Sequence, residues 1–270
     1  MKKSILIFCA LMTVLSLTVY GITYWNDLKI TPSENSESKD IATLTPMNQN
    51  MELRIFEDFI YEIGTRFGPI KKSDIDKATS FSDFLETEEI ASIVAFKSVD
   101  IVIIKDDKET DIREIGYSNT LTASQLTLLQ SFKHSTNFMI RADFQQKNKE
   151  TGRLENNYTS PYLTIVPEKQ AEYANGIDSL KEFLKENSIT ARVQANVDPE
   201  KLKPAKLYFT VTKSGTIENV KLDRSSNYPL VDKKMIELIQ DTPGKWLPAE
   251  NIKGEKVDQE LVVSFGLMGC

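Results

Sequence analysis

Hydrophobic and polar positions divide the chain into four textures. The first is an uncharged run from Ser4 to Asn26, preceded by Lys2 and Lys3. A basic start before an apolar run predicts an export signal with its positive end kept inside. The run is long for a cleavable core and just long enough to span a bilayer, so residues 1–26 read as a signal sequence or a membrane anchor. Tyr20, Tyr24 and Trp25 suit an interfacial aromatic belt, and Val19-Tyr20-Gly21 gives a weak cleavage context. Residues 27–50, with TPSENSESKD and TPMNQN, show neither helical nor strand period and read as a flexible linker. Fully extended, such a linker reaches roughly 80 Å.

Periodicity begins near Met51, and residues 51–165 read as a middle α+β domain of unknown role. Asp74 to Glu89 holds helix-compatible polar stretches, with Ser82 or Ser80 as caps. Ser98 to Ile104 reads as a buried strand, Lys105 to Lys108 as a tight turn and Thr110 to Ile115 as the returning strand. Thr122 caps a helix on which Leu126, Leu129 and Phe132 recur at helical spacing. Asn137 to Phe144 is a strand, Lys147 to Gly152 a hairpin loop, and Tyr162 to Val166 a further strand.

Residues 166–270 repeat the mixture in a smaller unit. Ile177, Leu180, Phe183 and Leu184 place an apolar stripe on a helix spanning about Asn175 to Asn187. Leu207 to Val211 alternates as a half-buried strand, Lys213-Ser214-Gly215 turns with Gly215 at positive φ, and Ile217, Val220 and Leu222 continue in a strand whose slip in parity predicts a bulge. Asp232 to Ile239 is a second helix, ended by Pro243-Gly244, and Gln259 to Phe265 a third strand. The fold class is α+β: an N-terminal apolar signal or anchor helix, the middle α+β domain, and a C-terminal three-stranded antiparallel sheet packed by two helices.

Composition narrows the chemistry. The 270 residues are 40% hydrophobic, enough to build cores and too many for a mainly disordered chain. One long apolar run and a mean hydropathy of −0.30 exclude a polytopic membrane protein. A net charge of −6 argues against a nucleic-acid binder. Cys9 and Cys270 are the two cysteines, so no disulfide framework is available. The single histidine, His134, has Ser131 and Ser135 beside it and Asp143 downstream, yet neighbours in sequence seldom converge into a triad, and a polar loop histidine is the simpler reading. Asp106, Asp107 and Asp111 fall in a Lys- and Asp-rich turn that reads as solvated. With no Gly-rich phosphate loop, the chain is not read as an enzyme and no metal or cofactor is expected.

Several words in the last hundred residues occur in a recognisable order. They are Tyr173-x-x-Gly176, F-T-V-x-x-x-G-x-I-x-x-V from Phe209 to Val220, R-S-S-x-Y-P-x-x-D from Arg224 to Asp232, K-W-x-P-A from Lys245 to Ala249, and a final L-V-V-S-F. This order resembles the TonB C-terminal domain family, over Val166 to the C-terminus. The whole arrangement also looks like exported TonB-like proteins of Bacteroidetes type. The resemblance implies Gly215, Tyr228, Pro229, Asp232, Trp246 and Pro248 as structural motif positions. Trp246 reads as a core plug, Asp232 as a helix cap, and Arg224 and Tyr228 as local structure. It also implies a periplasmic protein that binds a segment of an outer-membrane TonB-dependent transporter by strand addition. The edge nominated for that partner is the last strand, Asp258, Gln259, Glu260, Leu261, Val262, Val263, Ser264 and Phe265. Leu261, Val263 and Phe265 should face the helices, with Glu260, Val262 and Ser264 facing away.

Three departures bear on the motor. The membrane helix of the family's transducers carries a histidine that engages the ExbB–ExbD complex, and here no histidine precedes His134. The long Pro-rich spacer is absent. The Tyr-Pro segment before the first strand is replaced by Ser188 to Pro199. Coupling to an ExbB–ExbD-type complex is therefore doubtful. Two functions stay open: participation in TonB-dependent transport, or a periplasmic adaptor whose TonB-like domain binds without transmitting force.

Overall fold

A computed structural model describes residues 59–85 and 90–267 of the chain. The signal or anchor at 1–26, the linker at 27–50, Cys9 and Cys270 lie outside the described residues. Among the described residues no helix is long and apolar enough to cross a membrane.

The architecture is mixed α+β, built on two main sheets. The chain enters through β1 (Ile60–Gly64), passes Thr65, Arg66 and Phe67, and forms β2 (Gly68–Lys71) and the short helix α1 (Lys72–Lys77). A 3₁₀ turn, Phe81–Phe84, follows, its Thr79 and Ser80 amides donating to Asp83 Oδ2 at 2.8 and 2.9 Å. Of the two caps read from sequence, Ser80 is the one used, and up to Leu85 the helix-compatible stretch from Asp74 forms these two short pieces, residues 86–89 lying outside the described residues. β3 (Ile93–Lys105) and β4 (Lys108–Gly116) form a hairpin at Asp106 and Asp107. Both sit at positive φ, 51° and 59°, which acidic residues tolerate better than most.

Helix α2 (Ala123–Ser131) opens on a capping box. Gln125 N donates to Thr122 Oγ1 and Thr122 N to Gln125 Oε1, while buried Gln125 Nε2 reaches Val99 O at 2.9 Å. Then come β5 (Asn137–Lys147), β6 (Leu154–Thr159) and β7 (Tyr162–Val166). The first sheet runs β2-β7-β5-β3-β4, with β6 beside the far half of β5. One face buries Ile75, Phe81, Leu129 and Phe132 against Val99, Ile101, Phe138 and Ile140. The other face carries the ion pairs Arg113–Asp100 and Arg141–Asp143.

The C-terminal residues add β8 (Glu172–Tyr173), α3 (Ile177–Gln194), β9 (Ala205–Val211), β10 (Ile217–Arg224), α4 (Pro229–Gln240), the short pairs β11 (Trp246–Leu247), β12 (Ala249–Glu250) and β13 (Lys256–Val257), and β14 (Gln259–Gly266). The three strands expected from sequence are present as β9, β10 and β14, but the sheet has a fourth. Its order is β1-β14-β9-β10, antiparallel throughout. Leu180, Leu184, Val231, Met235 and Ile239 pack on Leu207, Phe209, Leu261, Val263 and Phe265. Because β1 joins this sheet and β2 the other, the boundary drawn at 165/166 does not separate the two sheets. Both belong to one compact unit, Glu52–Cys270.

Several of the positions singled out in the last hundred residues make contacts within the fold. Trp246 is buried between Tyr173 and Phe209, ring centroids 5.5 and 5.3 Å away. Tyr173 donates its hydroxyl to Pro243 O. Pro229 opens α4 at its first turn, where its missing N–H costs nothing. Tyr228 precedes it, its hydroxyl oxygen accepting from Asp198 N at 2.8 Å. Asp232 is not the cap expected from sequence. It lies one turn inside the helix, nearly buried, and takes bonds from Ser225 Oγ, Ser226 Oγ and Ser226 N, so it fastens the preceding loop. The bulge predicted in β10 is present between Glu218 and Lys221. Helix α3 runs on through Gln194, so Ser188 to Gln194, read as a departure ahead of the first strand, is helical.

Gly215 has φ of 79°, and a Cβ there would lie 2.5 Å from Trp246 O and 3.9 Å from Pro248 Cδ. Gly215→Ala is expected to cost at least about 2 kcal/mol, from positive φ plus the backbone clash. Urea unfolding followed by far-UV circular dichroism measures it, and a loss under about 0.5 kcal/mol would contradict the packing described.

Candidate functional site: the outer side of strand β14

The nominated strand, Asp258 to Phe265, is not a free edge, which corrects the sequence reading. β1 covers it antiparallel, Ile60 opposite Gly266, Glu62 opposite Ser264 and Gly64 opposite Val262. The facing of alternate residues is as expected: Leu261, Val263 and Phe265 enter the core. Beyond β1, the Glu260 amide donates to Ser135 Oγ at 3.0 Å, from the loop between α2 and β5. Alternation along an antiparallel strand then directs the Val262, Ser264 and Gly266 amides to the same side, toward β1. Asp258 Oδ1 accepts from Lys213 N at 2.7 Å, and buried Gln259 accepts from Ala171 N at 2.7 Å. Every nominated residue is therefore engaged within the chain.

What β1 contributes is specific. Phe59, just ahead of it, and Tyr61 are buried, Phe59 stacking on Phe265 with centroids 6.4 Å apart. The Arg192 guanidinium lies 5.0 Å from the Phe59 ring centre, a cation–π contact. Tyr61 Oη shares a short hydrogen bond with Ser188 Oγ, and burial pushes its phenol above the ordinary tyrosine range. Glu62, outside the core, meets Lys181 at 2.8 Å. Ile63 completes the apolar row. At the other side of the sheet, bulged β10, with Asn219 at φ 54°, is a poor template for added strands.

Beside this edge a charge cluster joins the sheets. Arg66, its side chain 5% exposed, pairs with Asp107 through Nη2 and Nε and with Asp223 at 3.5 Å. Its guanidinium lies 4.9 Å from the Tyr208 ring centre, and Arg224 reaches Asp107 at 3.2 Å. Partial burial alone would raise the Asp107 carboxyl. The bond and charge of Arg66, with Lys206 and Arg224, outweigh it and hold the carboxyl below its usual range. Burial pushes Glu260 upward, Asp223 adding and Arg66 opposing. Asp106 and Asp107 thus form an exposed hairpin tip, as read from sequence, whose second residue is also an ion-pair partner.

The histidine constellation does not assemble. Ser135 Oγ is taken by the Glu260 amide, Ser131 donates to Leu128 O, and Asp143 is paired with Arg141 on the outward face of the first sheet. His134 instead lines a groove with Lys72, Asp76, Glu168, Asn251 and Ile252. Burial there, with the charge of Lys72, lowers its pKa, Glu168 opposing. Among the described residues no group of three or more His, Cys, Asp and Glu side chains is placed to hold a metal.

No protein-family model, curated protein or solved structure matches this chain.

Sequence reasoning missed Phe59, Tyr61, Arg66 and Arg192, and missed the roles of Ser135 and Ser188, which it named only beside His134 and at the head of the segment before the first strand. The alternation of Phe59, Tyr61 and Ile63 was available as a strand signal, though not its partner. Asp107→Asn is expected to lower stability at pH 7 by about 1–2 kcal/mol, reduced from a fully buried pair because Asp107 is 35% exposed and Asp223 remains. A depressed carboxyl stabilises the fold above its unfolded pKa near 3.8, and that contribution is lost as pH falls through the folded value. The gap between parent and variant should therefore narrow in urea titrations as pH falls below about 3.8. A gap unchanged at pH 3 would show the charge is not its cause.

Proposed function

We propose that this chain is an exported, TonB-family-like protein of the cell envelope. It takes part in TonB-dependent transport, its β14 receiving an extended segment of an outer-membrane transporter by strand addition. The observation that supports this reading is the β1–β14 ladder: the outer side of β14 accepts an antiparallel strand brought from the opposite end of the described residues. Backbone pairing supplies affinity in this mode and alternate side-chain pockets supply selectivity. The ordered TonB-like words and the uncharged run behind Lys2 and Lys3 agree with it.

A second reading is favoured by a particular observation. Because β14 is closed within the chain and no histidine precedes His134, the same fold suits a periplasmic adaptor that binds partners without transmitting force.

Photocrosslinking residues at Ser264 and Glu62, on the full chain in cells, test the proposal. The expected outcome is an adduct between Ser264 and an outer-membrane transporter. Adducts confined to the chain itself would overturn it. The intact mass of the mature protein separates the readings: retention of Met1 to Trp25 in the inner membrane keeps a force-bearing role, and a soluble chain beginning near Ile22 leaves only the adaptor.

A further inference from the structure

The strand-addition reading leaves open which segments β14 would accept. The strand already seated there answers that question, because its side chains fill the positions an incoming segment would fill. We infer that Phe59–Ile63 is a pseudo-ligand held in cis, and that a segment entering this edge carries the same alternation: an aromatic, any residue, a tyrosine, any residue, an aliphatic, running antiparallel to β14. This inference rests on the strand-addition reading and names its partner class and its regulation.

The positions differ in weight. The Phe59 place lies between the Phe265 ring and the Arg192 guanidinium, so a flat ring fits it better than an aliphatic chain. The Tyr61 place is buried and ends at Ser188 Oγ, so a phenol satisfies a hydroxyl that a phenylalanine would leave without that bond. The Ile63 place lies opposite Val263 along the edge of the core and needs only an aliphatic group. Glu62 meets Lys181, but its side chain is 62% exposed, so an acid there adds little. A Cβ on Gly64 would touch nothing within 4 Å, so that position selects nothing.

Occupation in cis also sets a threshold. Thr65, Arg66 and Phe67 tether β1 directly to β2, and such short tethers give an effective concentration on the order of 1 mM. A free segment that would bind an open edge at about 10 µM therefore binds the closed chain roughly 100-fold more weakly. Only segments matching the buried aromatic positions, or presented at high local concentration, displace β1.

The test uses the full chain with Cys9→Ser, Cys270→Ser, Glu62→Cys and Ser264→Cys. Residues 62 and 264 face each other across the ladder with both side chains outside the core, within reach of a disulfide. The probe is a labelled peptide of residues 58–65, with a second peptide of the same composition whose aromatics are moved to the opposite parity. Anisotropy should show binding to the reduced protein that falls at least tenfold on oxidation and returns on reduction. The permuted peptide should bind at least tenfold more weakly than the first. Tyr61→Ser, checked for native circular dichroism, should raise affinity for the first peptide at least tenfold. Equal binding of both peptides, equal binding by oxidised and reduced protein, or no gain in a folded Tyr61→Ser chain would overturn the inference. A transporter captured at Ser264 through a segment lacking the alternation would overturn the recognition rule and leave strand addition standing. Peptide binding without transporter capture would sink the transport reading alone.

Discussion

A strand inside a sheet presents two rows of backbone donors and acceptors, and in this protein the second row of β14 is what the rest of the structure answers. β1 meets it from Val262 to Gly266, and Ser135 meets the one amide beyond. Closing that row brings Phe59 and Tyr61 over Phe265, where they complete the C-terminal core. It also explains the length of α3, since Ser188 and Arg192, on the turns past Asn187, are the residues that receive Tyr61 and Phe59. And it forces the chain to leave one sheet at Gly64 and enter the other at Gly68. The joining of the sheets follows from the pairing, not the reverse.

Arg66 stands at that crossing. A guanidinium taken almost wholly out of water is costly unless it is paired; here Nε donates to Asp107, while buried Nη2 has ion-pair contacts with Asp107 and Asp223, from different sheets, but no hydrogen bond of its own, and the Tyr208 ring lies against the group. Glu260 lies close enough to feel the same field, raised by burial and by Asp223 while Arg66 opposes. The two acids respond oppositely to pH. Asp107 stabilises the fold above its unfolded range, whereas Glu260, easier to protonate when folded, disfavours the fold above its own unfolded value near 4.5 and ceases to do so as pH falls. Mild acid thus relieves one strain before it removes the other support.

Local rules made much of this fold legible. The β3–β4 hairpin, the Thr122 cap, the Gly215 turn and the β10 bulge each depend on residues close in sequence, and each was predicted from them. Three failures share one cause. The Ile60–Gly64 alternation identifies a strand but not its sheet, because pairing with β14 is fixed by side-chain fit with residues at the far end of the chain. β6, with an almost wholly exposed pattern, carries no alternation to read and exists because β5 offers it a ladder. The extension of α3 past Asn187 runs through Ser188, Thr190 and Arg192, unremarkable helix formers until tertiary partners recruit them. Asp232 was misassigned for a related reason: position in the sequence suggested a cap, whereas its acceptors serve the loop before the helix.

Whether β1 is a permanent strand or an exchangeable one turns on how firmly it is held. Burying Phe59 and Tyr61 contributes about 3–6 kcal/mol, and the ladder of five paired residues a similar amount at about 1 kcal/mol per bond. Ordering Phe59 to Gly64 costs about 6–12 kcal/mol in backbone freedom alone. The two sides nearly balance, so opening of β1 lies at the low end of local unfolding energies, while the core beneath it, with Leu207, Phe209 and Val263 fully buried, does not share that lability. An edge sealed this way avoids pairing with unselected strands, as sheet edges must. It also remains within reach of a segment that fits the same two aromatic positions better, and protection and selectivity then come from one set of contacts.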